Sequence, residues 1–217
     1  MPHEVKTITL FGANCYLVKT DSGHILIDTA WSFKRADLDQ ELASAGCAPG
    51  NLALVILTHG DFDHSGNAAH LRDEYGAKIA LHRHESEMVE RGDMLLSRKQ
   101  RSLLKRIAFG LVKPYARLTG FGRFRPDMYI QEGTDLSEYG FDARVVELPG
   151  HSTGSIGILT SDGDLFCGDL VMHDRPALHS ITDDAADLQA SVEKAKSLGV
   201  KTVYPGHGGP FPPELFA

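Results

Sequence analysis

The sequence predicts an α/β protein built as a four-layer αββα sandwich. Three observations carry that expectation. Short strand-like apolar runs alternate with amphipathic helical patterns. Two successive halves share one order of strands, helix, strand and polar loop. A continuous apolar stretch, Asn51–Leu57, runs straight into a cluster of polar side chains.

The elements follow in order. Glu4–Leu10, Cys15–Lys19 and His24–Asp28 read as strands, separated by Gly12 and the turn Asp21–Gly23. Leu38, Leu42 and Ala45 stand at i, i+4 and i+7, which predicts a helix stopped by Gly46. Asn51–Leu57 has the composition of a strand covered on both faces. A helix through Ala68, Leu71 and Tyr75 and a strand at Lys78–Leu81 come next. Residues 91–125 carry an apolar stripe of Leu103, Leu104, Ile107 and Leu111, with Lys99, Arg101 and Lys105 off that stripe. This window reads as a basic helical insertion within a single domain spanning 1–217. Beyond it, Arg144–Leu148, Ser155–Thr160 and Asp164–Cys167 read as strands. A helix with Ala185, Leu188, Val192 and Ala195 follows, capped by Thr182 or Asp183 and stopped by Gly199. The last strand, Thr202–Tyr204, ends in Pro205-Gly206-His207-Gly208-Gly209.

Composition narrows the functional classes. Of the 217 residues 42% are apolar, enough for a sizeable core and against a disordered chain. No apolar run approaches the roughly 18 residues of a membrane span. The N-terminus lacks a basic region followed by an apolar stretch, and three cysteines are an odd number without metal-type spacing. The expectation is a cytoplasmic protein with reduced thiols. A net charge of −7 argues against nucleic acid as a partner. The window 91–125 nonetheless holds ten Lys or Arg and one acid, Asp93, a local +9 that leaves the remainder at −16. It reads as a solvated helix face, as a lid drawing an anionic small-molecule substrate, or as a contact, either between subunits of a homodimer or loosely with an anionic membrane surface.

The chemistry concentrates in His59-x-Asp61-x-Asp63-His64. Pro149-Gly150-His151, Cys167-Gly168-Asp169 and Pro205-Gly206-His207 follow, each a His or Asp beside glycine after an apolar strand. Seven such groups gathered from separate strand ends would repel one another, and burial would penalise them, unless cations held them together. The plainer reading, a polar loop with helix-capping carboxylates, leaves the three downstream sites unexplained. His173 and His179, just past Asp169, are candidates to line a substrate pocket and otherwise read as surface. His82 and His84 read as scaffold, Cys167 as a packing residue, and His3, His24 and His70 as surface.

At these residues the chain resembles the metallo-β-lactamase-fold hydrolase superfamily. Asn14-Cys15-Tyr16-Leu17 and Leu26-Ile27-Asp28-Thr29 extend the resemblance over nearly the whole length. The family pattern is His-x-His-x-Asp-His, a single His, a bridging Asp and a final His on an αββα fold. The resemblance implies a first metal at His59, Asp61 and His151, and a second at Asp63, His64 and His207. Asp169 would bridge them and Asp28 would orient a ligand or its loop. Asp61 departs from the pattern, standing where the family has its second histidine. With His59 and His151 it makes a two-histidine, one-carboxylate set, which suits iron or manganese at least as well as zinc. The implied cofactors are thus two divalent ions, zinc foremost, with iron or manganese as alternatives. The implied activity is hydrolysis of a small ester-like substrate, a lactone or thioester, by metal-activated water, with Asp63 and Asp169 in catalytic roles. A non-hydrolytic diiron redox protein and a non-catalytic metal- or ligand-binding member of the fold are the alternatives.

Overall fold

A computed structural model of the protein describes residues 4–94, 96, 120–171 and 182–215. The first sheet holds β1 (Glu4–Leu10), β2 (Ala13–Thr20), β3 (Gly23–Ile27), β4 (Leu52–Ile56), β5 (Lys78–Leu81) and β6 (Met128–Tyr129), in that spatial order. Strands β1 to β3 pair antiparallel, and β3 to β6 pair parallel. The second sheet holds β7 (Ala143–Glu147), β8 (Ile156–Thr160), β9 (Asp164–Gly168) and β10 (Thr202–Pro205). Its order is β10-β9-β8-β7, antiparallel except for the parallel β9–β10 pair. The helices are α1 (Arg35–Ser44), α2 (Phe62–Ser65), α3 (Ala68–Tyr75), α4 (Ser86–Arg91) and α5 (Ala185–Ser197).

The layering follows from the two-residue period of the strands. Val55 of β4, and Leu57 just past it, pack with Leu38 and Leu42 of α1 and Leu71 of α3. Leu54 and Ile56, pointing the other way, pack with Ile158 and Phe166 of the second sheet. The far side of that sheet, through Val146 and Leu165, receives Leu188, Val192 and Ala195 of α5. Side chains with both faces covered explain why Asn51–Leu57 reads as one apolar run. Each such aliphatic side chain contributes about 1.5–3 kcal/mol on burial. The result is the expected αββα sandwich.

The structure departs from the sequence expectations at particular points. Helix α5 is capped by Asp184, whose carboxylate accepts from the amides of Ala186 and Asp187; neither Thr182 nor Asp183 is its cap. Thr182, Asp183 and Asp184 all carry capping side chains, so the apolar pattern left the choice among them open. His24 is buried at 7% exposure, because β3 lies between two neighbouring strands. The single-turn α2, the short α4 and the two-residue β6 carry too little periodicity to be anticipated. Most of the basic window 91–125, and both His173 and His179, fall outside the described residues. Among the described residues no helix is long and apolar enough to cross a membrane.

What matters for function is where the strands end. Asp28 follows β3, the His59–His64 segment follows β4, Asp169 follows β9 and His207 follows β10. Each strand pair, β3–β4 and β9–β10, is parallel, so its two carboxyl ends open on one edge. That edge is where sheets of this kind present polar groups to a ligand.

Candidate metal centre

Seven side chains singled out in the sequence come together at that edge. Ligand-type atoms of His59, Asp61 and His151 lie within 4.8 Å of one another, and so do those of His59, His64 and Asp169, and of Asp63, His64 and His207. Asp61 reaches the cluster despite its short side chain: its Oδ2 is 3.2 Å from His151 Nε2 and 3.7 Å from His59 Nε2. It is 3% exposed and makes no side-chain capping bond to α2, the helix it precedes, which removes the plain helix-capping reading. Asp169 joins the groups. Its Oδ1 is 3.3 Å from His64 Nε2, while its Oδ2 is 3.4 Å from His207 Nε2 and 3.8 Å from His151 Nε2. Asp63 Oδ2 stands 3.4 Å from His207 Nε2 and 3.7 Å from His64 Nε2.

The outer hydrogen bonds decide which ring nitrogens face inward. His64 Nδ1 donates to Asp28 Oδ2 at 2.8 Å. His207 Nδ1 is 2.7 Å from the carbonyl oxygen of Gly12, which can only accept, so the proton sits on Nδ1. Thr58 Oγ1 donates to Asp28 Oδ2 at 2.8 Å, so it must accept from His59 Nδ1 at 3.0 Å. When neutral, all three rings thus take the tautomer with a bare Nε2 aimed at the cluster. His59 Nε2 is buried with no hydrogen-bond partner, and the Nε2 atoms of His64 and His207 stand 3.4 Å apart. Lone pairs that converge on one another and on three carboxylates need protons or cations between them. Buried nitrogen and oxygen donors with their protons directed outward fit divalent metal ions.

The electrostatics agree. Burial, joined by the neighbouring His64, pushes the His59 pKa well below the ordinary imidazole range and keeps that ring neutral. For His64 burial acts downward, but Asp169, Asp63 and Asp28 outweigh it and raise the pKa well above that range. His207, also opposed by burial, is raised to about 10 through Asp169 and Asp63. Burial alone would raise Asp169, yet His64, His207 and His151 hold it well below the usual carboxylate range. Without cations the site therefore keeps protons on two of its histidines.

Glycine matters here at one position above all. A Cβ on Gly206 would fall onto Asp169 Oδ1 and 2.7 Å from His64 Cε1. Only a bare backbone lets β10 deliver His207 that close to its neighbours. Asp28 sits where the resemblance expected an orienting carboxylate, in a left-handed backbone conformation with φ 59°. Sequence reasoning missed Thr58, the Gly12 carbonyl and Glu85, whose carboxylate accepts from the amides of Gly60 and Gly154. A backbone carbonyl has no sequence signature; Thr58 at least adjoins His59.

Comparison with known proteins agrees with the fold. The family described as the metallo-beta-lactamase superfamily matches residues 8–207. An acyl-coenzyme A thioesterase MBLAC2 from Gallus gallus is 30% identical over 208 residues, covering 90% of this chain and 72% of the relative. A beta-lactamase-like protein 2 homolog from Drosophila melanogaster is 25% identical over 217 residues, covering 93% of this chain; the chain spans 60% of that relative's length. The crystal structure of TTHA1623 in a di-iron-bound form superposes with a TM-score of 0.72 at 26% identity, covering 98% of this chain and 96% of the other. With its fold, its site geometry and a family match over nearly its full length, the chain belongs to the metallo-beta-lactamase superfamily.

Proposed function

We propose that the protein is a metal-dependent hydrolase acting on a small ester-like carbonyl compound, a thioester or lactone. The observation that carries this reading is the set of inward-facing Nε2 atoms of His59, His64 and His207 gathered with Asp61, Asp63 and Asp169. In this reading His59, Asp61 and His151 hold a first divalent ion, and Asp63, His64 and His207 a second, with Asp169 shared. When bound, such a pair supplies a water of lowered proton affinity and a Lewis acid for the substrate's carbonyl oxygen. Asp63 has 18% of its side chain exposed, so solvent reaches it. Its carboxylate takes the proton from the attacking water and returns it to the departing sulfur or oxygen as the acyl bond breaks. Asp28, through His64 and Thr58, keeps the ring nitrogens pointed inward throughout. The relative named as an acyl-coenzyme A thioesterase supports thioesters as the first class to assay.

The rim of the site supports an apolar group on the substrate. Phe11, adjoining the Gly12 carbonyl that holds His207, is 71% exposed with φ 51°. It stands edge-on to Phe33 at 5.2 Å, and Phe33 lies 5.7 Å from Trp31. Phe11 and Gly12 form the two-residue turn between β1 and β2, with φ positive at both, 51° and 86°; a bulky aromatic held left-handed there adds strain that a smaller turn residue would avoid. The basic segment 91–125 is proposed as an insertion of a single domain that attracts an anionic substrate. The two-histidine, one-carboxylate first set makes iron or manganese as suitable as zinc, and the di-iron form of TTHA1623 supports iron.

Elemental analysis of the purified protein, paired with hydrolysis assays on acyl thioesters, lactones and phosphodiesters, tests the proposal. It expects about two metal ions per chain and turnover lost with Asp63→Ala and His207→Ala. Tightly held iron with dioxygen consumption and no hydrolysis would favour the redox reading. One ion or none, with no turnover, would favour a binding protein.

A further inference from the structure

We infer that Glu85 is a positioning residue that holds the first donor set together, while the second set leans on Asp28 and Gly12; this rests on the metal reading above. Glu85 lies in the connection between β5 and α4 and is fully buried. Its Oε2 accepts from the Gly60 amide at 3.0 Å and its Oε1 from the Gly154 amide at 2.9 Å. Gly60 stands between His59 and Asp61, and Gly154 lies three residues past His151. One carboxylate thereby joins the two loops that carry His59, Asp61 and His151. The two hydrogen bonds described for it go to neither Asp169 nor His207.

The contact is close on both sides. A Cβ on Gly154 would lie 2.8 Å from Glu85 Cγ and Oε1, and one on Gly60 would lie 3.2 Å from Glu85 Oε2. Two amide donors arriving at different oxygens require two acceptors, which a carboxylate has and a carboxamide lacks. Apolar packing in its place would leave the Gly60 and Gly154 amides buried without acceptors, at about 1–3 kcal/mol each. What a doubly accepting carboxylate adds is fixed spacing between loops 90 residues apart in sequence, as measured from Asp61 to His151. By contrast, His64 is oriented by Asp28 at 2.8 Å and His207 by the Gly12 carbonyl at 2.7 Å, both independent of Glu85.

Glu85→Gln tests this, because it keeps size and one acceptor but turns an N–H toward the other amide. Zinc is titrated into metal-stripped full-length protein at buffered free concentrations, and the ring 15N shifts of His59, His151, His64 and His207 are followed. In the variant, His64 and His207 respond at the wild-type zinc concentration, while His59 and His151 require about ten- to hundredfold more. All four rings shifting at unchanged zinc, or all four weakened equally, overturns the inference. If the wild-type rings do not respond to zinc, iron(II) or manganese(II) at all, the metal reading itself fails instead. Should Glu85→Gln not fold, Glu85→Asp carries the same comparison, since it retains the charge but reaches one loop only.

Discussion

Replacing Asp28 by asparagine separates the charge and acceptor capacity of this residue from its backbone role. Asp28 has φ 59°, a region asparagine tolerates about as well as aspartate, so the substitution adds no backbone strain. The carboxylate accepts three hydrogen bonds of 2.8 Å: from the Thr58 amide at Oδ1, and from Thr58 Oγ1 and His64 Nδ1 at Oδ2. An asparagine offers a single oxygen. If that oxygen stays at the Oδ2 position, the Thr58 amide faces an NH2 group; if it takes the Oδ1 position, the hydroxyl and the imidazole both do. At least one buried donor loses its acceptor, at a cost of about 1–3 kcal/mol. For a chain of this size that lowers the melting temperature by roughly 2–4 °C per kcal/mol. In the second orientation His64 avoids the NH2 group by moving its proton to Nε2, which blocks that nitrogen as a donor. Metal affinity at the second set then falls by about ten- to hundredfold. Thermal melts of metal-stripped protein and zinc competition against a chelator measure the two effects separately. A variant that melts with the wild type and binds zinc equally well refutes the tautomer argument.

Three further outcomes follow from the same geometry. Asp61→His restores the family's histidine and raises zinc occupancy of the first set, read by elemental analysis of stripped and reconstituted protein; unchanged occupancy means that residue 61 does not face the metal. In the metal-free protein His207, raised from 6.5 to about 10, stabilises the fold fully below pH 6.5 and loses that contribution as pH rises through about 10. Metal-free melting temperature therefore falls between pH 6.5 and 10 while zinc affinity rises, with protons released on binding; a pH-independent affinity over that range contradicts it. Phe11→Asn relieves a left-handed strain of about 1–2 kcal/mol and gives up an aromatic pair of about 0.5–1.5 kcal/mol. Its melting temperature stays near that of the wild type, while KM rises severalfold for thioesters with long apolar acyl groups and not for acetyl thioesters. An equal change for both substrates removes the rim from substrate recognition.

Much of the fold was legible because it rests on local period. The bounds of Glu4–Leu10 and Lys78–Leu81 were readable to the residue, helped by Gly12 after the first and Gly76 before the second. Helix α5 was recognisable from Leu188, Val192 and Ala195, although its cap is Asp184, because propensity for capping is shared by several neighbouring polar residues. The single-turn α2 and the two-residue β6 carry no period to read.

The sequence by itself determined which seven side chains gather, because acids and imidazoles beside glycine at the ends of apolar strands have few other uses. Only the tertiary structure decided how they face. Thr58, the Gly12 carbonyl and Glu85 orient the donors across gaps of up to 195 residues, and hydrogen bonds of that range leave no spacing in the chain. It also decided that Asp61, one methylene from the backbone, reaches its neighbours, a matter of loop path that residue type cannot express.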